Sequence, residues 1–190
     1  MNLKIGLLGV SGIASTYTNS INRIPEANII SVYSRSQERA TQFAAKYGIP
    51  NATTNLDHLL RDKSLDAVLI TSEPSRHIEL ATLALQKDKH VLMEKPVGMD
   101  YQKALDFYRE FGNHKKIISV VSQKRFDPSL ITLKKKINEE MHLPAMLDLQ
   151  LFWYRDKSYY VSGNGWRSND SHFFVNQGIH WLDILIWFFG

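Results

Sequence analysis

The sequence predicts an α/β protein whose first part is a parallel sheet with helices on both faces, and three observations carry that prediction. Short apolar runs alternate with helix-period segments through the first ~120 residues, the pattern of consecutive βαβ units. Two of the runs, Ala67-Val68-Leu69-Ile70 and Ile117-Ile118-Ser119-Val120-Val121, are near-continuously apolar, as strands buried on both faces must be. The turn after the first run is glycine-rich and stands directly between a strand and a helix.

Taken in order, residues 4–9 form the first strand and 13–24 the helix that follows. Residues 28–33 are the second strand, leading into a helix over 36–47 that stops at Gly48, a residue free to adopt a left-handed C-cap. A short helix over 56–61, a strand over 67–71, a helix over 75–87 and a strand over 90–93 come next. Asp100 caps one more helix, and 117–121 closes the set. The pattern then changes: 128–140 is a helix, 145–154 a long strand with partial alternation, 155–170 a polar loop, and 176–189 a helix. The boundary falls between 121 and 128, dividing the chain into domains 1–122 and 123–190. One long strand and two helices cannot enclose a core of their own, so the second part is expected to be a fragment of something longer.

Composition narrows the function classes. With 190 residues, 44% hydrophobic and 22% charged, the chain has the make-up of an ordinary globular protein. The formal charge of +4 is scattered, and Lys134-Lys135-Lys136 is followed at once by Glu139-Glu140 on the same helix. That is a solvated face; a nucleic-acid partner would need a broader basic stripe with interleaved aromatics. The absence of cysteine excludes disulfides, thiolate metal sites and cysteine nucleophiles, and fits a cytoplasmic location. Residues 1–5 lack a secretory-leader profile, and the run 181–189 contains Asp183 and is far short of the ~20 residues a membrane span needs, so no membrane partner is expected. No metal site is expected.

The loop Gly9-Val10-Ser11-Gly12-Ile13-Ala14 carries the first functional signal. A dinucleotide's pyrophosphate sits on a helix N-terminus, where backbone N–H groups and the helix dipole face it across a tight, glycine-rich turn. The Rossmann fingerprint is Gly-x-Gly-x-x-Gly/Ala at the first βα turn. Here the first and last positions fit, while Ser11 replaces the second glycine and Gly12 stands beside it. At the end of the second strand, an acid would bond the adenosine ribose hydroxyls; this chain has Tyr33-Ser34-Arg35-Ser36 instead. Arg35 can pair with a 2′-phosphate and the serines can donate to it, which favours NADP(H) over NAD(H). Arg35 as a merely exposed cation at a helix start is the competing reading.

The strand over 90–93 ends in Glu94-Lys95-Pro96. A lysine at the carboxyl end of a parallel strand faces the crevice where ligands bind, and Pro96 restricts its backbone to extended geometry. There it can lose solvation and share a proton with a substrate hydroxyl, or it is an ordinary surface lysine.

These segments, in order, resemble the Gfo/Idh/MocA (glucose–fructose oxidoreductase/inositol dehydrogenase) family. The resemblance runs through Gly9 to Ala14, Pro74-Ser75-Arg76-His77, Lys89-His90-Val91-Leu92-Met93-Glu94-Lys95-Pro96, Arg125-Phe126-Asp127-Pro128, and Asn176-Gln177-Gly178-Ile179-His180-Trp181-Leu182-Asp183. It implies a Rossmann domain followed by the start of an α+β domain with an open, mostly antiparallel sheet, and homo-oligomers joined through that sheet. It places cofactor contacts at Gly9, Ser11, Gly12, Ile13, Ser34, Arg35, Ser72, His77, Glu94, Lys95 and Pro96. It makes Lys95 and His180 the catalytic pair, with Arg125 and Asn176 joining them on the substrate. Asn176 is a neutral amide that orients a hydroxyl but cannot act as a base, so proton handling falls to His180. Without the resemblance, a histidine beside Trp181 on an apolar helix reads as a packed core residue. Asp183, one turn on, either fixes its tautomer or is a surface charge. One departure stands out: Asp170-Ser171-His172 occupy positions where the family usually has glycines.

The segments Phe152-Trp153-Tyr154-Arg155-Asp156, Tyr159-Tyr160 and Gly165-Trp166-Arg167 look like the branch that handles sugars and nucleotide-linked sugars. Trp166 and Arg167 are the substrate candidates of that group, since rings stack on sugar C–H faces and arginine grips oxygens. The expected function is therefore NAD(P)-dependent hydride transfer to or from a carbinol carbon of a sugar, polyol or nucleotide-sugar. The alternative is a non-catalytic cofactor-binding sensor of the same family.

Overall fold

The computed structural model describes residues 2–140, 148–161 and 174–190, and the chain divides into two units, Met1–Val121 and Ser122–Gly190. In the first, β1 (Leu3–Leu8), α1 (Gly12–Ile21), β2 (Ala27–Tyr33), α2 (Gln37–Tyr47), β3 (Asn51–Thr53), α3 (Leu56–Arg61), β4 (Ala67–Ile70), α4 (His77–Gln86), β5 (His90–Met93), α5 (Tyr101–Phe111) and β6 (Ile118–Val120) follow one another, with a 3₁₀ turn (Pro74–Arg76) before α4. The strands form a six-stranded sheet in the order β3-β2-β1-β4-β5-β6, and every pairing is parallel. This is the strand order of a Rossmann sheet, with its reversal between β1 and β4.

The pleat sorts the apolar residues onto two faces. Leu7, Ile29, Val32 and Leu69 pack with Ala14 and Ile21 of α1 and Phe43 and Ala44 of α2. Leu8, Val68, Ile70, Val91 and Met93 pack with Leu59 and Leu60 of α3, Leu80 and Leu85 of α4, and Phe107 and Phe111 of α5. Consecutive residues of β4, and of β1 from Ile5 on, thus serve opposite layers, which is why these stretches carry no charged or polar side chain. Each fully buried Leu, Ile or Val contributes about 1.5–3 kcal/mol.

Local chemistry sets the helix ends. The Ser36 hydroxyl accepts from Arg39 N at the start of α2, Asn55 Oδ1 from His58 N at α3, and Asp100 Oδ1 from Lys103 N at α5. Gly48 ends α2 at φ 67°. Strand β3 is too short and polar to show in the sequence; it exists because Asn51, Ala52 and Thr53 pair with Ser31, Val32 and Tyr33.

The second unit holds a 3₁₀ turn (Gln123–Phe126), α6 (Pro128–Glu140), α7 (Lys157–Val161), a π-turn (Phe174–Gly178) and α8 (Ile179–Phe189). Two expectations change here. Residues 148–156 carry no regular structure where the alternation predicts the end of a strand, and no strand forms among the described residues of this unit. A strand is held by inter-strand hydrogen bonds, and without a partner the same residues stay irregular. The helix predicted from 176 begins at Ile179, because residues 174–178 take a wider turn.

Candidate functional site

In an open parallel sheet, ligands bind outside the carboxyl ends of the strands at the reversal point. Here that point is the gap beyond Leu8 and Ile70, since α1 and α4 leave on opposite faces. Gly9 N donates to Tyr33 O at 3.0 Å, Thr71 N to Leu8 O at 3.0 Å, and the Thr71 hydroxyl to Gly9 O at 2.6 Å. Gly9 has φ +107°, and a Cβ there would lie 2.7 Å from Ser72 N. The first glycine of the loop is therefore required by the approach of the β4 backbone. Gly12 differs: a Cβ there would meet nothing within 4 Å.

Ser11 is the N-cap of α1, yet its side chain makes no capping bond, and its hydroxyl is buried without a hydrogen-bond partner. A buried hydroxyl left unused at a helix N-terminus, beside a glycine facing open space, is the donor set a pyrophosphate needs. The residues present fit a bound dinucleotide.

At the end of β2, Ser34 is buried and its hydroxyl accepts from Ser36 N at 3.2 Å. Arg35 is exposed and its Nη2 lies 2.8 Å from Glu73 Oε1. Arg39 donates to the carbonyl of Val10, bracing the phosphate loop from α2. Arg76 forms a two-pronged pair with Glu79 at 3.0 and 3.2 Å, which holds its guanidinium above the usual range. Sequence reasoning missed Arg39 and Glu73, because each acts across the fold rather than along it.

The Glu94-Lys95-Pro96 segment leaves β5 one step beyond the ladder. Glu94 N donates to Ile70 O at 2.9 Å, the Glu94 carboxylate is buried, and its Oε2 accepts from Lys95 N at 3.1 Å. Its Oε1 accepts from the Tyr17 hydroxyl at 2.5 Å. Burial, and then this carboxylate, push the Tyr17 hydroxyl's pKa well above its ordinary value. Lys95 is half-buried, and the Lys95–Pro96 peptide bond is cis. Tyr17 was not foreseen: a tyrosine in mid-helix carries no sign of a partner far along the chain.

His77, expected at the cofactor, is 1% exposed at the start of α4. Its Nδ1 lies 2.7 Å from Pro96 O and its Nε2 3.1 Å from Ser72 O. Ser72 sits at the carboxyl end of β4, with its hydroxyl donating to Glu73 O at 3.4 Å.

In the second unit, Arg125 grips Asp183 with two bonds, Nε to Oδ2 at 2.9 Å and Nη2 to Oδ1 at 2.6 Å. Asp183 is thus the partner of Arg125, not the lone surface charge that sequence reasoning allowed. Lys124 Nζ stands 4.3 Å over the Trp181 ring. Asn176 donates to the Tyr159 hydroxyl at 3.0 Å, and the Arg155 guanidinium lies 4.2 Å over Trp153 and 4.9 Å over Tyr159. His180 is half-buried in the first turn of α8. Trp166, Arg167 and Asp170 to His172 lie outside the described residues. Among the described residues, no group of His, Asp and Glu is arranged to hold a metal, and no helix is long and apolar enough to cross a membrane.

The Gfo/Idh/MocA model, described as an oxidoreductase family with an NAD-binding Rossmann fold, matches residues 3–122. The 4-carboxy-2-hydroxymuconate-6-semialdehyde dehydrogenase of a Sphingobium species is 26% identical over 182 residues, covering 96% of this chain and 58% of that protein. The scyllo-inositol 2-dehydrogenase (NADP(+)) of Bacillus subtilis is 28% identical over 137 residues, covering 72% of this chain and 42% of its own. Among solved structures, the WlbA dehydrogenase of Chromobacterium violaceum, in complex with NADH and UDP-GlcNAcA, superposes with a TM-score of 0.92 at 25% identity, over 100% of this chain and 56% of that one. The chain spans about half the length of these relatives.

Proposed function

The chain belongs to the Gfo/Idh/MocA oxidoreductase family, and on that premise we propose that its protein is a dehydrogenase acting on a carbinol carbon of a sugar, polyol or nucleotide-sugar. The observation that carries this is the Tyr17–Glu94 hydrogen bond. It ties the helix behind the glycine-rich loop to the residue next to Lys95, which supports a reading in which the lysine serves a ligand seated on that loop. The nicotinamide, when bound, supplies or accepts the hydride.

The chain's own residues do the rest. Ser11, Gly12 and the N-terminus of α1 hold the phosphates. Lys95 bonds the reacting oxygen and stabilises negative charge developing there, and His180 takes or returns its proton. Arg125, Asn176, Trp166 and Arg167 position the substrate. Arg125 does so through its own bonds to Asp183, which fix it beside α8. We read the cofactor as NADP(H) in preference to NAD(H): Ser34, Arg35 and Ser36 offer hydroxyls and a guanidinium, and Glu73 is the carboxylate a 2′-phosphate would have to displace from Arg35. The same reading carries a homo-oligomer formed through the second unit, supported by the family resemblance.

Fluorescence titration of this chain with NADPH and NADH tests the cofactor assignment, and tighter NADH binding by about tenfold overturns it. A panel of sugars, polyols and nucleotide-sugars with NADP(H), followed at the reduced-nicotinamide band in the whole protein, tests the activity. Tight cofactor binding with no turnover across the panel favours the sensor reading.

A further inference from the structure

We propose that His77 is a positioning residue, which holds the loop bearing Lys95 against the phosphate loop and does not itself contact the cofactor. The inference rests on the functional reading above and goes beyond it, because the family resemblance places His77 among the cofactor ligands.

Three observations carry it. The ring is 1% exposed, and each nitrogen faces a backbone carbonyl: Pro96 O at 2.7 Å and Ser72 O at 3.1 Å. A carbonyl only accepts, so the ring nitrogen that carries hydrogen donates to the carbonyl it faces, while the other nitrogen is packed against the second carbonyl. Neither nitrogen is left to face a ligand.

The ring also stands where the ladder between β4 and β5 runs out. The strands pair from Ala67↔His90 to Ile70↔Met93, and Glu94 N adds one bond to Ile70 O at 2.9 Å. Beyond it the chain runs on to Ser72 on one side and Pro96 on the other, and the imidazole spans these two.

Ser72 is in turn packed onto the phosphate loop, since a Cβ on Gly9 would lie 2.7 Å from Ser72 N and 2.8 Å from its Cα. One ring therefore links Gly9, through Ser72, to Pro96 and the adjoining Lys95. An off-position of about 1 Å at a reacting group costs on the order of a hundredfold in rate, so a clamp here governs how Lys95 meets the bound substrate.

The test compares the unsubstituted chain with His77→Leu and His77→Gln by hydrogen–deuterium exchange and NADPH titration. His77→Leu removes the ring's hydrogen bonding; His77→Gln restores an N–H donor and keeps a folded variant in hand. We expect His77→Leu to speed exchange about tenfold in peptides covering 71–76 and 94–99 while β1 and β2 keep their protection. His77→Gln should recover part of that protection. The NADPH dissociation constant should change by less than about threefold. In the whole protein, kcat should fall while the cofactor KM holds. A dissociation constant raised about tenfold with loop exchange unchanged makes His77 a cofactor ligand and overturns the proposal. Exchange raised across the whole sheet makes it a general fold residue and overturns it as well. If the unsubstituted chain binds neither NADPH nor NADH, the functional reading fails, and the exchange pattern alone still decides the clamp.

Discussion

Arg35 and Glu73 meet end to end, Nη2 lying 2.8 Å from Oε1, and the pair joins the end of β2 to the loop after β4. The guanidinium read from the sequence as a phosphate receptor thus has a carboxylate at hand. A 2′-phosphate must compete with Glu73 for Arg35, and Glu73 repels it. Arg35→Ala should weaken NADPH about tenfold or more relative to NADH, the loss expected for a charged hydrogen bond. Glu73→Gln should move the ratio the other way, and both effects should shrink with added salt. Paired titrations of both cofactors at low and high ionic strength measure this; an unchanged ratio in Arg35→Ala removes Arg35 from the cofactor assignment.

The two loop glycines should respond differently to the same change. Gly9→Ala forces a side chain into positive φ and against the Ser72 backbone, so stability should fall by at least ~1–3 kcal/mol, or several degrees in Tm. Gly12→Ala meets open space and should leave Tm within about a degree while weakening cofactor binding, because only a ligand comes close enough to meet the added methyl. Thermal melts with and without NADPH separate the two, and equal loss of Tm in both variants contradicts the assignment of Gly12 to the ligand side.

Lys95→Met in the whole protein should reduce turnover by about 10²–10⁴-fold with cofactor affinity little changed, as expected for removing a group that serves the transition state. Near-normal turnover in this variant rules out the proposed role of Lys95.

The Tyr17–Glu94 bond predicts an alkaline limb in stability. The folded state raises the Tyr17 pKa above the ordinary value of ~10, so its contribution is full below pH ~10 and is lost as pH rises toward the folded value. Tyr17→Phe should be less stable than the unsubstituted chain near neutral pH and should lose less stability above pH ~10. Urea unfolding at a series of pH values checks both signs, and parallel curves for the two proteins would falsify the linkage.

Much of the first unit was legible in the sequence, because its determinants are local. The apolar runs at 67–70 and 90–93, the capping residue Asp100 and the glycine at 48 each act within a few positions of the element they define. The same locality explains why α3 and α6 begin and end where the pattern placed them. Strand β3 was not legible, since its three residues become a strand only by pairing with β2. Residues 148–156 show the converse: an alternating pattern forms no strand where no partner strand is present among the described residues.

The sequence by itself determined five of the six strands, their βαβ alternation with helices, and the chemical character of the glycine-rich loop and of Glu94-Lys95-Pro96. Tertiary structure decided what those residues do to one another. It set Glu73 against Arg35, Tyr17 against Glu94, Ser72 against Gly9, and the His77 ring between Ser72 and Pro96. The physical reason is that hydrogen bonds and steric contacts act over a few ångströms, and most of these pairs are distant in the chain. Only the parallel sheet, by bringing the carboxyl ends of β1, β2, β4 and β5 to one edge, makes them neighbours.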